Sequence, residues 1–264
     1  MQWHVAIAAI VTGSVATAVT LVERPPDVRI GYGPGPGCEL PPRSCAGPPE
    51  YCRGLVEIPE AGSGYVDARL NGEQTPETSS SYLRRDLMIL VRYAAARVAC
   101  KAQDWPGNGG AIALADASER DGSTPGTLRG MPRHPPNTHV DGLSIDIAYF
   151  QRDTVDNNLR PICRHRSRSG ADMYRCMDVP HRLDAWRTAL FIGAFLEEPR
   201  IRVIGVDGIA AESILTAFDE LCRRRWIEPA ACGQRSRIRY ETRQTGKGWF
   251  LGHHNHLHVS VHKD

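Results

Sequence analysis

The protein has 264 residues, of which 41% are hydrophobic and 23% are charged. This composition can fill a core and excludes wholesale disorder, a collagen, a coiled coil and a polytopic membrane protein. The formal net charge of +2 is too small to argue for a nucleic-acid partner. Short basic clusters such as residues 223–225 are interpreted as a solvated face. The length predicts one domain, with or without appendages.

The N-terminal segment predicts export. Residues 5–22 carry no charge and are rich in Ala, Val and Ile, which is typical of a signal-peptide core or a short membrane anchor. Ala16 and Ala18 favour cleavage, whereas residues 1–4 lack the positive charge that usually opens a signal peptide. We assign residues 1–22 to a signal peptide, with an uncleaved anchor as the alternative. Either interpretation places the rest of the chain outside the cytoplasm, in the periplasm or secreted.

The cysteines agree with export. There are eight of them, at Cys38, Cys45, Cys52, Cys100, Cys163, Cys176, Cys222 and Cys232. None forms the C-x-x-C pair of zinc and redox motifs, and an even number behind an export signal predicts up to four disulfides. Because short loops close most easily, we expect the pairs Cys163–Cys176 and Cys222–Cys232. Cys100 would then pair with one of the three N-terminal cysteines.

Residues 23–75 are predicted to form an extended arm. Pro and Gly follow one another closely in this segment, as in residues 31–37. Since Pro lacks a backbone donor and Gly costs backbone entropy, we expect neither helix nor sheet ladders here. The folded domain is expected over residues 76–264, with the arm pinned to it in part by disulfides.

Helices and short strands alternate in the predicted domain. Apolar side chains recur at helical spacing over residues 83–98, and one of the serines at 79–81 can supply the N-cap. The other predicted elements are helices at 183–196 and 211–225 and strands at 111–115, 143–150, 201–206, 248–250 and 257–261. Residues 121–137 and 151–180 are predicted to be loops. Helices and strands around one core predict an α+β or α/β domain.

Two histidine-containing motifs carry the candidate chemistry, and the first is centred on a strand. His139 precedes Asp146 by seven positions, with Gly142 between them. If residues 143–150 are extended, Ile145 and Ile147 face the core and Asp146 faces the other way. Gly142 gives the backbone the freedom to bend, so that His139 can return beside Asp146.

The second motif is residues 253–258, where four histidines fall within six positions. In an extended segment His256 and His258 share one face while Leu257 packs into the core. Both imidazoles can then reach one ion, or one can bind it while the other meets an attacking water. An incidental metal-binding tract is the alternative. Two histidines together with Asp146 would form the three-ligand set of a catalytic zinc site, which keeps its fourth position open.

These motifs resemble those of a known family. H-x6-D followed far downstream by H-x-H resembles the signature of metallopeptidases that share the Hedgehog/D-Ala-D-Ala-peptidase fold. Residues 107–110, residues 115–118 and the terminal H-x-N-H-x-H are similar to those of penicillin-insensitive murein endopeptidases, and the resemblance covers residues 76–262. It implies one α+β, disulfide-stapled domain over residues 76–264, with an antiparallel sheet and flanking helices.

The resemblance also implies roles for individual residues. His139, Asp146 and His258 would be the ligands of one catalytic Zn²⁺. His256 would stay off the metal as general base or transition-state stabiliser, and His253 would lie at the edge of the site.

Four further residues near these positions have no role that the resemblance assigns directly: Pro136, His134, Asp116 and Asp141. Family members often carry a further histidine at the position of Pro136, for which His134 can substitute here. Asp116 is interpreted as a turn or capping residue rather than as part of the site. Asp141 is expected to face solvent or to orient His139.

The implied activity is zinc-dependent murein endopeptidase activity, which is hydrolysis of the D-alanyl–meso-diaminopimelyl cross-link of peptidoglycan. Cross-link peptides are the expected partner, no obligate protein partner is inferred, and membrane contact is expected only through residues 5–22. The arginine-rich loop 160–175 would either hold substrate carboxylates or be simply solvated. The alternatives are a zinc D,D- or L,D-carboxypeptidase of the same fold and a non-catalytic, zinc-containing wall-binding module. The sequence contains no G-x-S-x-G, which disfavours a serine hydrolase.

Overall fold

The computed structural model describes residues 38–68, 80–128, 131–132 and 134–263. The helices are α1 (Pro49–Arg53), α2 (Arg85–Lys101), α3 (Ala185–Leu196), α4 (Ala210–Arg223) and α5 (Pro229–Cys232). The strands are β1 (Leu55–Glu57), β2 (Ala61–Gly62), β3 (Tyr65–Asp67), β4 (Tyr82–Arg84), β5 (Ile112–Leu114), β6 (Thr127–Leu128), β7 (Met131–Pro132), β8 (Ser144–Ala148), β9 (Ile201–Gly205), β10 (Ile238–Arg239) and β11 (His256–Val261). The predicted signal peptide or anchor lies outside the described residues.

A seven-stranded sheet organises the fold, in the order β10-β9-β11-β8-β5-β3-β2. Strand β11 pairs antiparallel with both β8 and β9, and β5 pairs antiparallel with β8. The β10–β9 and β3–β5 pairs are parallel. Strands β1 and β4 form a separate two-stranded sheet, as do β6 and β7. The predicted α+β class with a mostly antiparallel sheet and flanking helices is therefore confirmed.

Helix α3 packs against α2 and α4 and against strand β9. The helical spacing predicted the buried face of α2 correctly, because Leu87, Val91 and Ala94 all lie in the core. The predicted N-cap is wrong, since α2 follows directly on Arg84 at the end of β4 and no side chain caps it. Helix α3 has a side-chain cap, because the carboxylate of Asp184 accepts a hydrogen bond from a backbone N–H of its first turn.

The described part of the predicted arm is not devoid of secondary structure. Helix α1 and strands β1 to β3 form there, and β3 pairs with β5 in the main sheet. The β2–β3 hairpin requires a glycine at position 62, because a Cβ there would lie 2.2 Å from the ring of Tyr65. Tyr65 is 2% exposed, and burial of its ring offsets the backbone entropy that the glycine loses. The sheet thus begins before residue 76.

The predicted strand at 248–250 is also wrong. These residues lie in a loop, and the ring of Trp249 covers Gly205 at the end of β9. A Cβ at Gly205 would lie 2.2 Å from that ring, so the glycine makes room for it. The aromatic residue therefore packs on the sheet as a covering side chain rather than as a member of a strand.

Four disulfides staple the fold. The pairs are Cys38–Cys100, Cys45–Cys52, Cys163–Cys176 and Cys222–Cys232, with Cα–Cα separations from 5.5 to 6.0 Å. Both predicted local pairs are confirmed, and so is the pairing of Cys100 with an N-terminal cysteine. Four disulfides indicate an oxidising, extracytoplasmic environment.

No helix among the described residues combines the length and the apolar character needed to cross a bilayer.

Candidate metal centre

Strands β8 and β11 bring the two histidine-containing motifs together. Their register pairs Asp146 with His258 and Ala148 with His256, while Leu257 is fully buried as predicted. The Nδ1 atom of His258 lies 2.9 Å from Asp146 Oδ1. The Nε2 atom of His256 lies 3.5 Å from Asp146 Oδ2. Both histidines of the H-x-H pair therefore reach one carboxylate, which is itself buried.

His139 reaches the same carboxylate from the loop before β8. Its Nε2 atom lies 3.4 Å from Asp146 Oδ1. The φ angles of His139, Asp141 and Gly142 are 54°, 56° and 64°, so the loop turns through the left-handed region, which is unfavourable for residues with a Cβ. Gly142 also has no room for a Cβ, which would lie 2.4 Å from the backbone nitrogen of Arg84. The glycine turn brings His139 back beside Asp146, as the sequence predicts.

His134 is a further imidazole at this carboxylate. Its Nε2 atom lies 3.9 Å from Asp146 Oδ2, and its ring centroid lies 4.1 Å from that of His139. Candidate donor atoms of His134, His139 and Asp146 all lie within 4.8 Å of one another, so this group can hold a metal ion. His134 therefore lies beside the site, where it can substitute for the family histidine that Pro136 replaces in this sequence.

Asp116 belongs to the surroundings of the site, and its interpretation as a turn or capping residue is wrong. Its Oδ2 atom lies 2.7 Å from His134 Nε2, and its Oδ1 atom accepts a hydrogen bond of 3.2 Å from Ser80. The backbone oxygen of Asp116 accepts a hydrogen bond from the N–H of Asp146 at 2.8 Å. Asp116 thus orients His134 and ties the end of β5 to β8.

Imidazole nitrogens and a carboxylate oxygen are donor types that bind Zn²⁺, and two of their separations can be compared with those in a zinc site. Nitrogen and oxygen ligands bound tetrahedrally at 2.0–2.1 Å lie about 3.3 Å apart. The separations of Asp146 Oδ1 from His258 and His139 are 2.9 and 3.4 Å. Two sets of three donors are therefore available at this site. His139 and Asp146 belong to both sets, and the third donor is either His258, as predicted, or His134.

Burial sets the protonation state of the centre. Desolvation lowers the pKa of His139 to about 3 and also lowers the pKa of His256. Burial alone would raise the pKa of Asp146, but His256, His139 and the hydrogen bond from His258 together hold that pKa well below its usual value. Neutral imidazoles around an ionised carboxylate are the forms that bind a metal. A buried carboxylate that stays ionised favours a cation beside it.

Hydrogen bonds orient His256 and the segment before it. Asn255 Oδ1 lies 2.8 Å from His256 Nδ1. Because an amide oxygen only accepts, Nδ1 carries the proton and Nε2, which faces Asp146, is the basic nitrogen. His253 packs its ring 5.4 Å from that of His256, and the hydroxyl of Tyr149 donates to the backbone oxygen of His253 at 3.0 Å. Burial lowers the pKa of His253 to about 3, so this ring is also neutral.

The cluster lies in a cleft of about 980 Å³, which is in the size range of ligand sites. Arg202, Lys247, Trp249 and Lys263 line the cleft together with the histidines. Asp141 faces solvent, which is the first of its two predicted positions, and forms an ion pair of 2.6 Å with Lys263. The mouth of the cleft is therefore basic, while its floor holds the carboxylate.

The arginines of loop 160–175 do not contribute to this cleft. Among the described residues that line it, this loop supplies Pro161, His165, Asp172 and Tyr174 but none of its arginines. Arg160 pairs with Asp156, and Arg164 pairs with Asp178 at 3.0 Å. The solvated alternative therefore fits this loop better than the binding of substrate carboxylates.

Residues 107–110, part of the family resemblance, serve the fold rather than the centre. Arg187 of α3 is 1% exposed, and its guanidinium donates to three backbone carbonyls from residues 102–106 and to Asp184. A Cβ at Gly107 or Gly109 would lie 3.3 or 3.4 Å from that guanidinium. The glycines thus allow the loop to close over a buried cation.

A second histidine–carboxylate group was not predicted from the sequence. His165, Asp172 and His254 have candidate donor atoms within 4.8 Å of one another. A signal was present, since His165 and Asp172 lie within one disulfide loop and His254 is a histidine of the 253–258 motif without an assigned role.

Comparison with known proteins adds no family to this description. No protein-family model matches the chain, and no curated protein matches it. The candidate metal centre is therefore defined by its own geometry, and the resemblance of its motifs to the metallopeptidases stays a prediction.

Proposed function

We propose that the protein is a zinc-dependent murein endopeptidase that hydrolyses the D-alanyl–meso-diaminopimelyl cross-link of peptidoglycan. The observation that carries the proposal is the convergence of His139, His256 and His258 on the buried carboxylate of Asp146 at the floor of a cleft. We assign the chain to the Hedgehog/D-Ala-D-Ala-peptidase fold on the strength of its motifs. The mostly antiparallel sheet with flanking helices is compatible with that fold. The four disulfides support action in the periplasm, where this polymer lies.

The proposed ligands are His139, Asp146 and His258, with His134 held beside them by Asp116. Three protein donors leave one coordination position open, as a catalytic site requires. When bound, Zn²⁺ would supply a Lewis acid that polarises a carbonyl and lowers the pKa of water towards about 7. His258 Nδ1 and Asp146 Oδ1 now share a hydrogen bond of 2.9 Å. Coordination of a cation by both groups would replace this hydrogen bond, and a neutral His258 would then carry its proton on Nε2.

His256 is the proposed proton carrier. Its Nδ1–H is held by Asn255, so its Nε2 atom can accept a proton from the attacking water and pass it to the leaving amine. Burial lowers its pKa, which keeps the ring neutral and ready to accept at physiological pH. His253 packs against this ring and limits its movement. Amide hydrolysis by this route needs no nucleophilic side chain.

The cleft supports a peptide substrate that carries carboxylates. Arg202 and Lys247 line it, and peptidoglycan cross-link peptides have free carboxylates close to the scissile amide. Basic side chains at the mouth would attract such a substrate and orient it toward the carboxylate-bearing floor. The same cations would also serve a carboxypeptidase, so product analysis has to separate the two activities.

Muropeptide analysis tests the proposal. Purified protein is incubated with cross-linked peptidoglycan, with and without a chelator, and the products are resolved by liquid chromatography and mass spectrometry. Chelator-sensitive conversion of cross-linked dimers to monomers is the expected result. Loss of terminal D-Ala alone would replace the proposal with the carboxypeptidase alternative. Unchanged muropeptides with zinc still bound would favour the wall-binding module.

Two carboxylate variants make the test specific. Asp146→Asn keeps the shape of the side chain but removes the buried charge, so we expect loss of bound zinc and a decrease in activity of about 10²-fold or more. Asp141→Asn removes an exposed carboxylate of the same loop and should retain both zinc and activity. Equal behaviour of the two variants would contradict the role of Asp146.

A further inference from the structure

His165, Asp172 and His254 form a cluster that the proposed hydrolysis does not use. We propose that these three residues bind a second divalent cation of the Zn²⁺ class, which fastens the Cys163–Cys176 loop to the segment that carries His253 and His256. The proposal concerns metal binding and holds whether or not the chain hydrolyses peptidoglycan.

The spacing of the three side chains fits one ion. His165 Nδ1 lies 3.1 Å from Asp172 Oδ1, close to the separation of about 3.3 Å between two ligands of a tetrahedral zinc. The rings of His165 and His254 are stacked with centroids 4.9 Å apart and an interplanar angle of 25°. Candidate donor atoms of all three residues lie within 4.8 Å of one another. The two rings are stacked, so their in-plane nitrogen lone pairs run nearly parallel, and one imidazole would have to rotate for all three donors to face one cation.

The backbone holds the two loop residues in place. Residues 165–173 form a hairpin in which Ser167 donates to the backbone oxygen of Ala171 at 2.9 Å and Met173 donates to that of His165 at 2.9 Å. The Cys163–Cys176 disulfide closes the base of this hairpin. His165 and Asp172 therefore face each other before any ion binds. Ligands that are fixed in advance lose little conformational entropy on binding.

His254 is fixed from the other side. Its backbone oxygen accepts a hydrogen bond from the N–H of Ile162 at 3.0 Å, and Gly252 donates to the backbone oxygen of Tyr174 at 2.7 Å. His254 is 6% exposed as a residue, and its Nδ1 atom has no hydrogen-bond partner among the described residues. A buried polar nitrogen without a partner is costly. Coordination would fix this ring and the loop in one arrangement.

The donor types select the class of cation. Two imidazoles and one carboxylate match Zn²⁺ and related transition-metal dications, whereas Mg²⁺ and Ca²⁺ prefer sites built from oxygen. The competing interpretation is an ion pair between a protonated His165 and Asp172, with His254 stacked on it and no metal. The two interpretations differ in the number of metal ions that each chain binds.

Metal stoichiometry decides between them. Purified full-length protein is stripped with a chelator and titrated with Zn²⁺, and bound metal is measured by atomic emission after desalting. We expect about two equivalents per chain for the unchanged protein and about one for Asp172→Asn and for His165→Ala. Asp146→Asn should also bind about one, and the Asp146→Asn/Asp172→Asn protein none. His181→Ala removes an exposed histidine just beyond the loop and should still bind about two.

Each outcome of this series bears on the proposal. One equivalent in the unchanged protein that Asp146→Asn abolishes would overturn the second site and leave the first intact. Two equivalents that persist in both Asp172→Asn and His165→Ala would also overturn it. Asp172→Asn keeps the size of the side chain, and circular dichroism before titration verifies that each variant is folded. Selective loss of one ion from the two loop variants, with the Asp146 ion retained, supports the second site independently of any activity.

Discussion

Asp146 and His258 are direct partners in the antiparallel pairing of β8 with β11, although 112 positions separate them in the sequence. Side chains alternate along a strand, so a shift of one residue would place Leu257 or Val259 opposite Asp146. The histidines would then point into the apolar core. The register of this one strand pair, rather than the mere presence of two strands, creates the candidate metal centre.

Asp116→Asn is predicted to weaken zinc binding by about 10-fold, the lower end of the effect of removing a carboxylate behind a metal-binding histidine, because His134 lies beside the three proposed ligands and forms with His139 and Asp146 a group that can hold a metal ion. Asp116 holds His134 through a contact of 2.7 Å. Competition with a chromophoric chelator measures the affinity. Asp219→Asn, which changes an exposed carboxylate on α4, is the matched control. Equal affinities in the two variants would mean that the orientation of His134 does not matter to the ion.

His256→Ala is predicted to retain zinc while turnover of cross-linked muropeptides decreases by about 10²-fold or more, since the variant lacks the proposed proton acceptor but none of the three proposed ligands. Metal content and turnover are measured on the same preparation. Loss of the zinc together with the activity would make His256 a ligand and overturn its assignment as the base.

Gly142→Ala is predicted to destabilise the fold by about 3 kcal/mol, which combines the strain of a left-handed alanine with a steric clash. The added Cβ would lie 2.4 Å from the nitrogen of Arg84 and 2.5 Å from Leu55. Gly246 has a φ angle of 82°, and a Cβ added there would meet no atom within 4 Å, so Gly246→Ala should cost only the strain. Denaturant titration gives both free energies of unfolding, and equal values would exclude the clash.

The loop from Glu241 to Trp249 is predicted to open in acid. Hydrogen bonds from Thr245 and from the backbone of Trp249 lower the pKa of Glu241 from 4.5 to about 2. Because the native state binds this proton less readily than the open state, the anchoring is complete above about pH 4.5 and is lost as the pH falls toward about 2. Tryptophan fluorescence that shifts in this window, compared with Trp249→Phe, measures the opening.

Glu241→Gln supplies the control for this pH dependence. The amide cannot titrate, so the fluorescence change between pH 4.5 and 2 should be absent from the variant. A change of the same size in both proteins would assign the acid transition to other groups.

Much of the fold was predictable because it follows from repeated local patterns. Helices α2, α3 and α4 each extend over three or more turns, which gives the helical period enough repeats to be recognised. Strands β2, β3 and β10 contain only two or three residues, and such short segments show no period. Strand β3 also pairs with β5 and β10 pairs with β9, both distant in the chain, so these pairings could be found only in three dimensions.

The centre was predictable to the extent that its residues follow strand alternation. His256, His258 and Asp146 have orientations set by the period of two, and the sequence placed all three correctly on one face. The contact between Asp116 and His134 depends instead on where β5 ends relative to β8, which no local pattern encodes. Trp249 was wrongly predicted to lie in a strand for the same reason, because its packing partner Gly205 lies on β9, far from it in the sequence.

The position of β11 between β8 and β9 has a consequence for biogenesis. A chain interrupted before residue 256 would contain His139 and Asp146 but neither His256 nor His258, and the inner edges of both neighbouring strands would be unpaired. Closing the middle of the sheet and completing the candidate metal centre are therefore one event. An interrupted polypeptide therefore lacks two of the four side chains that meet in the candidate centre until β11 has entered the sheet.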